Sequence, residues 1–354
     1  MLELPGLIDV HVHMREPGAT HKEDWASGTA AALAGGVTAL LAMPNTRPPL
    51  TDAAALQQVG GAAAARARCD YGLFLGATED NVGTAAGLAP RVAGLKLYLD
   101  NTYGPLKLQQ MRLWLEHLKA WPAGRPVAAH AEGRSLGALL QVAGLAGRAV
   151  HICHVARRDE ILLIRAAREA GQRVTCEVAP HHLFLCQEDA ASLGGPGRSR
   201  VSPALGTRQD QQALWDNLDV VDCFATDHAP HTPQEKDGDD PPPGFPGLEA
   251  MLPLLLTAAH EGRLTLEEIV QRLVHNPRRI FGLPEQPETR VEVDPDARFE
   301  LSAAQMHSRC GWTPYEGFRV RGRVRRVLLR GQEVLRDGEV LAQPGSGRQM
   351  GGAS

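Results

Sequence analysis

Lys96 stands in the apolar run Ala93–Leu99 (AGLKLYL), which gives way to the polar Asp100-Asn101-Thr102. It is one of only five lysines among 37 basic residues, so its placement is selective. An ammonium group in such a run costs several kcal/mol unless it pairs, snorkels to solvent or loses its charge. One route to neutrality is reaction of the free amine with CO2, giving an N6-carboxylated lysine whose carbamate oxygens can bridge two metal ions. Ligands for such a pair stand elsewhere in the chain: His11 and His13 around a single valine, His130, His154 and Asp227. Imidazole, carboxylate and carbamate suit zinc, with manganese or cobalt as alternatives. Two zinc ions sharing a water lower its pKa toward neutrality. Asp227, ligated through one oxygen, keeps the other to carry a proton to a leaving amide nitrogen. A helix N-cap ahead of His228-Ala229-Pro230 is the plainer reading of Asp227.

Each of these residues closes or follows a short apolar run. Candidate strands are Leu7–His13, Val37–Met43, Tyr71–Ala77, Ala93–Leu99, Pro126–His130, Ala149–Val155, Arg173–Ala179 and Val221–Thr226. Helical patterns lie between most of them, at Glu23–Ala34, Ala53–Arg66, Leu108–Lys119, Gly133–Ala146 and Arg157–Ala170, and follow them at Leu248–Glu261 and Thr265–Val274. This alternation predicts an α/β fold, a (β/α)8 TIM-type barrel over residues 1–290. Reactive groups in such a barrel come from the C-terminal strand ends. Here those ends carry His11 and His13 on the first strand, Lys96 on the fourth and His130 on the fifth. His154 follows on the sixth, Glu177 on the seventh and Asp227 on the eighth. Residues i and i+2 of a strand share a face, so both His11 and His13 can enter the barrel mouth. Single histidines carry little weight, but this set points to a two-metal hydrolytic site. From about Val291 the pattern changes to short alternating strands, predicting a small β-rich appendage over 291–343 packed on the barrel. Residues 344–354, rich in Gly and Ser, read as a flexible tail or the start of a linker.

The 354 residues are 43% hydrophobic and 22% charged, an ordinary globular composition. A net charge of −4 offers no nucleic-acid footprint, and the basic stretch Arg321–Arg326 alternates with apolar residues like the solvated face of a strand. Nothing approaches the roughly 20 apolar residues of a membrane helix, and the first residues enter a strand with no basic leader. Six cysteines without a CxxC pair read as reduced thiols. These features favour a cytoplasmic enzyme without membrane or nucleic-acid partners.

Eight segments together carry a resemblance. They are Pro5–Gly18 (PGLIDVHVHMREPG), Ala42–Thr46 (AMPNT), Gly94–Tyr98 (GLKLY), Ala129–Glu132 (AHAE), Val150–Val155 (VHICHV), Glu177–His182 (EVAPHH), Ala225–His231 (ATDHAPH) and Pro243–Glu249 (PGFPGLE). The chain resembles the dihydroorotases of the amidohydrolase superfamily, most of all the dihydroorotase domains of the trifunctional animal pyrimidine-synthesis polypeptides. The resemblance implies one zinc on His11, His13, carboxylated Lys96 and Asp227, and a second on the same carbamate with His130 and His154. It implies a third zinc on Cys153, Glu177 and a shared His11. An ideal strand aims Cys153 away from His154, so either a local bulge brings both inward or Cys153 is a buried structural thiol. The implied reaction is reversible cyclisation of N-carbamoyl-L-aspartate to dihydroorotate. Arg15, two residues beyond His13, suits the free carboxylate of that substrate through a bidentate pair. The resemblance adds Asn45, His231 and the backbone at Pro243, with Thr102 and Tyr103 at the tip of a closing loop.

One departure stands out. Where the animal domains carry arginine before the proline of the loop between strands seven and eight, this chain has Ser202-Pro203, with Arg200 two residues back. Losing one charge-assisted hydrogen bond weakens binding about tenfold, unless Arg200 reaches in. The expectation is an active enzyme that binds its substrate less tightly. Two other readings compete: a cyclic amidohydrolase of the dihydropyrimidinase, hydantoinase or allantoinase type, and a catalytically silent scaffold. The resemblance also implies a homodimer, and covalent neighbours of the carbamoyl-phosphate synthetase and aspartate transcarbamoylase kinds.

Overall fold

A computed structural model describes residues 1–350. The first strand, β1 (Leu2–Pro5), leads into eight parallel strands that follow one another in space as in sequence. These are β2 (Leu7–Val12), β3 (Val37–Ala42), β4 (Asp70–Gly76), β5 (Gly94–Tyr98), β6 (Val127–His130), β7 (Val150–Ile152), β8 (Val174–Val178) and β9 (Cys223–Phe224). The ring closes where Val12 bridges His228 in parallel, with His13 N donating to His228 O at 2.8 Å. The predicted eightfold barrel is the fold. Its strands are buried on both faces, which is why they read as short continuous apolar runs.

Alternation along the strands sorts two cores. Ile8, Val10, Leu41, Phe74, Ala128 and Cys153 fill the barrel interior. Leu7, Val12, Leu95, Leu97, Val127 and Ile152 pack outward with residues of the surrounding helices. Those helices start where side chains cap them. Asp24 accepts from Ser27 N ahead of Trp25–Ala34, and Asp52 accepts from Ala55 N ahead of Ala53–Arg66, both at 2.8 Å. The described residues contain no helix long and apolar enough to cross a membrane.

A second, antiparallel sheet has the order β1-β10-β11-β12-β13, with β10 (Arg290–Glu300), β11 (Arg319–Leu329), β12 (Gln332–Arg336) and β13 (Glu339–Val340). The appendage therefore borrows β1, whose Leu2 pairs with Val293, and the barrel proper begins at Leu7. Two tight turns join the last three strands, at Arg330-Gly331 and Asp337-Gly338, all four residues having positive φ as type I′ hairpins require. Part of the basic stretch of β11 is paired with neighbouring strands: Arg325 with Asp294 at 3.1 Å and Arg326 with Glu292 at 3.2 Å.

The segment from 344 to 350, expected as part of a flexible tail, is instead bound to the barrel. Gly347 N donates to Ala67 O at 2.9 Å, Tyr71 N to Arg348 O at 3.0 Å, and Met350 N to Tyr71 O at 2.6 Å. Glycine permits this: a Cβ on Gly347 would sit 2.1 Å from Cys69 O, so only glycine lets the backbone come so close. The expectation for residues 351–354 lies outside the described residues.

Candidate active site

Two local irregularities aim the histidines. On β2 the alternation places Ile8 and Val10 in the interior, which would turn His11 and His13 outward. The pairing with β3 slips between Asp9 and Val12, and this bulge returns both histidines to the barrel mouth. Asp9 braces it, accepting from His11 N at 3.1 Å and from Thr226 Oγ1 at 2.5 Å, which ties β2 to β9. On β7 it is His151 and Cys153 that alternation points inward. The left-handed backbone of His154 (φ 35°) then swings its ring in as well. The bulge that would unite Cys153 and His154 is thus a kink just beyond the strand end.

The remaining strand ends need no such device. Lys96, His130 and Glu177 face the interior on β5, β6 and β8, each 1% exposed or less. Asp227 follows β9 with a φ of 46° rather than opening a helix as its N-cap. Its Oδ1 lies 2.9 Å from His13 Nε2 and 3.3 Å from His11 Nε2. His13 Nδ1 donates to Asn45 Oδ1 at 2.6 Å, which fixes the tautomer and leaves Nε2 for a ligand. His11 is oriented in the same way by Glu177. His130 Nδ1 and His154 Nε2 stand 2.9 Å apart, while His130 Nε2 faces Glu132 Oε1 at 2.9 Å. Lys96 Nζ lies 2.7 Å from Cys153 Sγ and 5.2 Å from the centre of the Tyr98 ring.

This donor set fits metal ions. His11, His154 and Asp227 bring ligand atoms within 4.8 Å of one another, as do His11, Cys153 and Glu177. Burial lowers His13 to about 4 and His154 well below the usual imidazole value, so both rings are in the neutral, ligating form at neutral pH. The buried His154 Nδ1 has no hydrogen-bond partner among the described residues. Burial alone would raise Asp227, but the neighbouring His11, His13 and His154 hold it well below the carboxylate range. Glu177 is likewise kept ionised against burial by His11 and His151. Burial pushes the Cys153 thiol up, although Lys96 opposes this.

Above the donors lies a cationic corner. Arg15, with a φ of 59°, donates from Nε to Pro230 O at 3.1 Å and places Nη2 3.0 Å from His231 Nε2. Its Nη1 is buried without a partner among the described residues. Burial lowers Arg15 to about 10, which leaves it a cation at neutral pH. His231 accepts from Lys22 Nζ on Nδ1 and donates from Nε2 to Pro243 O, both at 3.0 Å. Thr102 and Tyr103 close the mouth. The Tyr103 carbonyl accepts from Asn45 Nδ2 at 3.0 Å, its hydroxyl accepts from Arg47 at 2.8 Å, and its ring centre lies about 5 Å from Arg15, Lys22 and Arg47. The cavity beneath has a volume of about 20 Å³, room for little more than a water molecule.

Ser202 lines the cavity, its hydroxyl donating to Asn101 O at 3.3 Å. Arg200 does not reach in. It is half exposed and pairs outward with Asp240 at 3.1 Å, because its loop is held by its own backbone carbonyl on Lys236. Every residue predicted from the strand ends converges on this cavity or on the layer beneath it. The reading missed Lys22, Lys236 and the support layer of Asp9 and His151; His151 Nε2 contacts Glu177 Oε2 at 3.0 Å. The inward phase of His151 with Cys153 was the available signal for one of them.

A parallel barrel with histidine, lysine and aspartate at its strand ends defines a class of metal-dependent hydrolases. The chain belongs to the amidohydrolase family, whose profile matches residues 3–286. It is 56% identical to the multifunctional protein CAD of Squalus acanthias over 99% of this chain, yet spans only 16% of that protein. It is 33% identical to the dihydroorotase of Pyrococcus furiosus, covering 96% of this chain and 83% of that one. Among solved structures, the inactive dihydroorotase-like domain of the Chaetomium thermophilum CAD-like multifunctional protein superposes with a TM-score of 0.85, at 29% identity and over 98% of each chain.

Proposed function

We propose that this chain is a dihydroorotase, interconverting N-carbamoyl-L-aspartate and dihydroorotate in pyrimidine biosynthesis. The observation that carries the reading is a complete set of hydrolytic donors lying directly below a buried, half-satisfied arginine. His11, His13, Asp227 and carboxylated Lys96 would hold one zinc, and His130 and His154 would share the carbamate on the second. Cys153 and Glu177, with His11, are the candidates for a third. Bound there, zinc supplies Lewis acidity and a water acidified toward neutrality.

The chain's own groups do the rest. Arg15 Nη1 grips the free carboxylate, with Asn45, His231 and the Pro243 backbone fixing the ring beside it. Asp227, ionised in the resting site, takes a proton and delivers it to the departing amide nitrogen in hydrolysis, and removes it from the ureido nitrogen in synthesis. Thr102 and Tyr103 fold over the bound substrate and exclude water. We further infer a cytoplasmic homodimeric enzyme. Carbamoyl-phosphate synthetase and aspartate transcarbamoylase segments would be its covalent neighbours in a longer polypeptide.

The charged corner argues against neutral rings such as hydantoin, and the retained donor set argues against a silent scaffold. Zinc- and bicarbonate-supplied protein, assayed against dihydroorotate, dihydrouracil, hydantoin and allantoin, is expected to open dihydroorotate alone. Turnover of a neutral ring in preference would assign the second reading, and no turnover of any the third. In the same assay Arg15→Met is expected to raise KM for dihydroorotate by about ten- to a hundredfold, the worth of one charge-assisted pair. An unchanged KM would remove Arg15 from the substrate.

A further inference from the structure

Lys236 ends the short helix Pro233–Lys236 and is 1% exposed. Its Nζ lies 2.7 Å from Arg200 O, 3.0 Å from Pro242 O and 3.3 Å from Gly244 O. The same nitrogen is 5.4 Å from the ring centres of both Phe245 and Trp312. An ammonium group has three donors and no acceptor, and here three carbonyls take all three.

Those carbonyls belong to two separate loops. Arg200 precedes Ser202, while Pro242 and Gly244 flank Pro243; Ser202, Pro243 and Gly244 all line the cavity. The loops meet at one atom, because Gly244 N also donates to Arg200 O, at 3.1 Å. Between the two carbonyls held by Lys236, the Pro243 carbonyl is held by His231.

We propose that Lys236 is a positioning residue for substrate binding: its ammonium group pins the Ser202 and Pro243–Gly244 loops into one wall of the cavity without touching the substrate. The proposal rests on the dihydroorotase reading. It accounts for a buried lysine that the chemistry of the strand ends leaves unused. Only the protonated form can serve all three carbonyls. Burial, with Arg200 and Arg15 nearby and Asp237 opposing them, lowers Lys236 to about 7. The other charged and titratable groups around it are Arg198, which lies over the same Trp312 ring and pairs with Asp237, the outward Arg200–Asp240 pair, Glu235, and His231, which burial, Arg15 and Lys22 hold neutral.

The test is steady-state kinetics on dihydroorotate across pH, for the wild type and two variants. Lys236→Met is expected to raise KM about tenfold or more while kcat stays within about threefold, the pattern of lost uniform binding. The wild-type KM is expected to climb as pH rises through neutrality, and the Met variant to lose that limb. Lys236→Ala, with its emptied channel between Phe245 and Trp312, is expected to regain low KM when propylammonium is added. An unchanged KM in Lys236→Met, or a fall in kcat with KM untouched, overturns the proposal. If the Met variant fails to melt cooperatively, the amine titration of Lys236→Ala decides, and absence of rescue counts against it. A wild type that does not turn over dihydroorotate defeats the functional reading itself, and the proposal falls with it.

Discussion

Asp227→Asn is expected to lower kcat for dihydroorotate by about a thousandfold, with KM within a few-fold of wild type, on the scale of a lost general acid–base group. The substitution is nearly isosteric, and asparagine is among the non-glycine residues that best accept the positive φ of 46° at this position. Folding and the oxygen that faces His11 and His13 therefore persist. Both imidazole contacts fall on Oδ1, so the second oxygen is the one available for proton transfer. An amide there can neither take the proton nor return it. The carboxylate is ionised at all working pH values because the imidazoles outweigh the effect of burial. Kinetics on protein with measured zinc content makes the comparison clean. If fully loaded Asp227→Asn works within tenfold of wild type, another group moves the proton.

The contrast between what could be read and what could not follows from periodicity. The strands of the barrel are short apolar runs buried on both faces, and the helices between them start at capping aspartates such as Asp24 and Asp52. Both signals are local and survive in one sequence. The convergence of the candidate site residues was legible because reactive groups gather at strand ends, a rule of the fold rather than of any one residue. The exceptions are departures from regular geometry. The bulge between Asp9 and Val12 and the left-handed turn at His154 are set by tertiary pairing, with Asp9 reaching across to Thr226. Nothing in the residues nearby announces either. The 344–350 segment misled for the opposite reason: its glycines resemble a linker, whereas Gly347 is required by a backbone packed against Cys69. Lys236 was silent because its partners are main-chain carbonyls, which every residue carries. Arg200 shows the same limit, since whether it turns inward depends on where that carbonyl network holds its loop.

Lys96→Ala is expected to abolish the bound metal pair and to lower turnover by a thousandfold or more, roughly the loss that follows removal of a group essential to a catalytic unit. The side chain is completely buried, and its nitrogen faces a thiol and the ring of Tyr98 rather than a carboxylate. A bare ammonium in that place would repel the cations that five neighbouring donors are arranged to hold. Conversion to a carbamate changes the sign of the charge and supplies the two oxygens that a bridged pair needs. Zinc uptake by wild-type protein freed of metal and CO2 is therefore expected to be poor until bicarbonate is restored. Labelled bicarbonate should then leave a carbamate resonance that Lys96→Ala lacks. If Lys96 were only a packing residue, Lys96→Met would keep its metal and gain stability, because an apolar side chain of similar length replaces a buried charge. A metal-replete, active Lys96→Met would thus dissolve the bridge and with it the two-metal reading of the site.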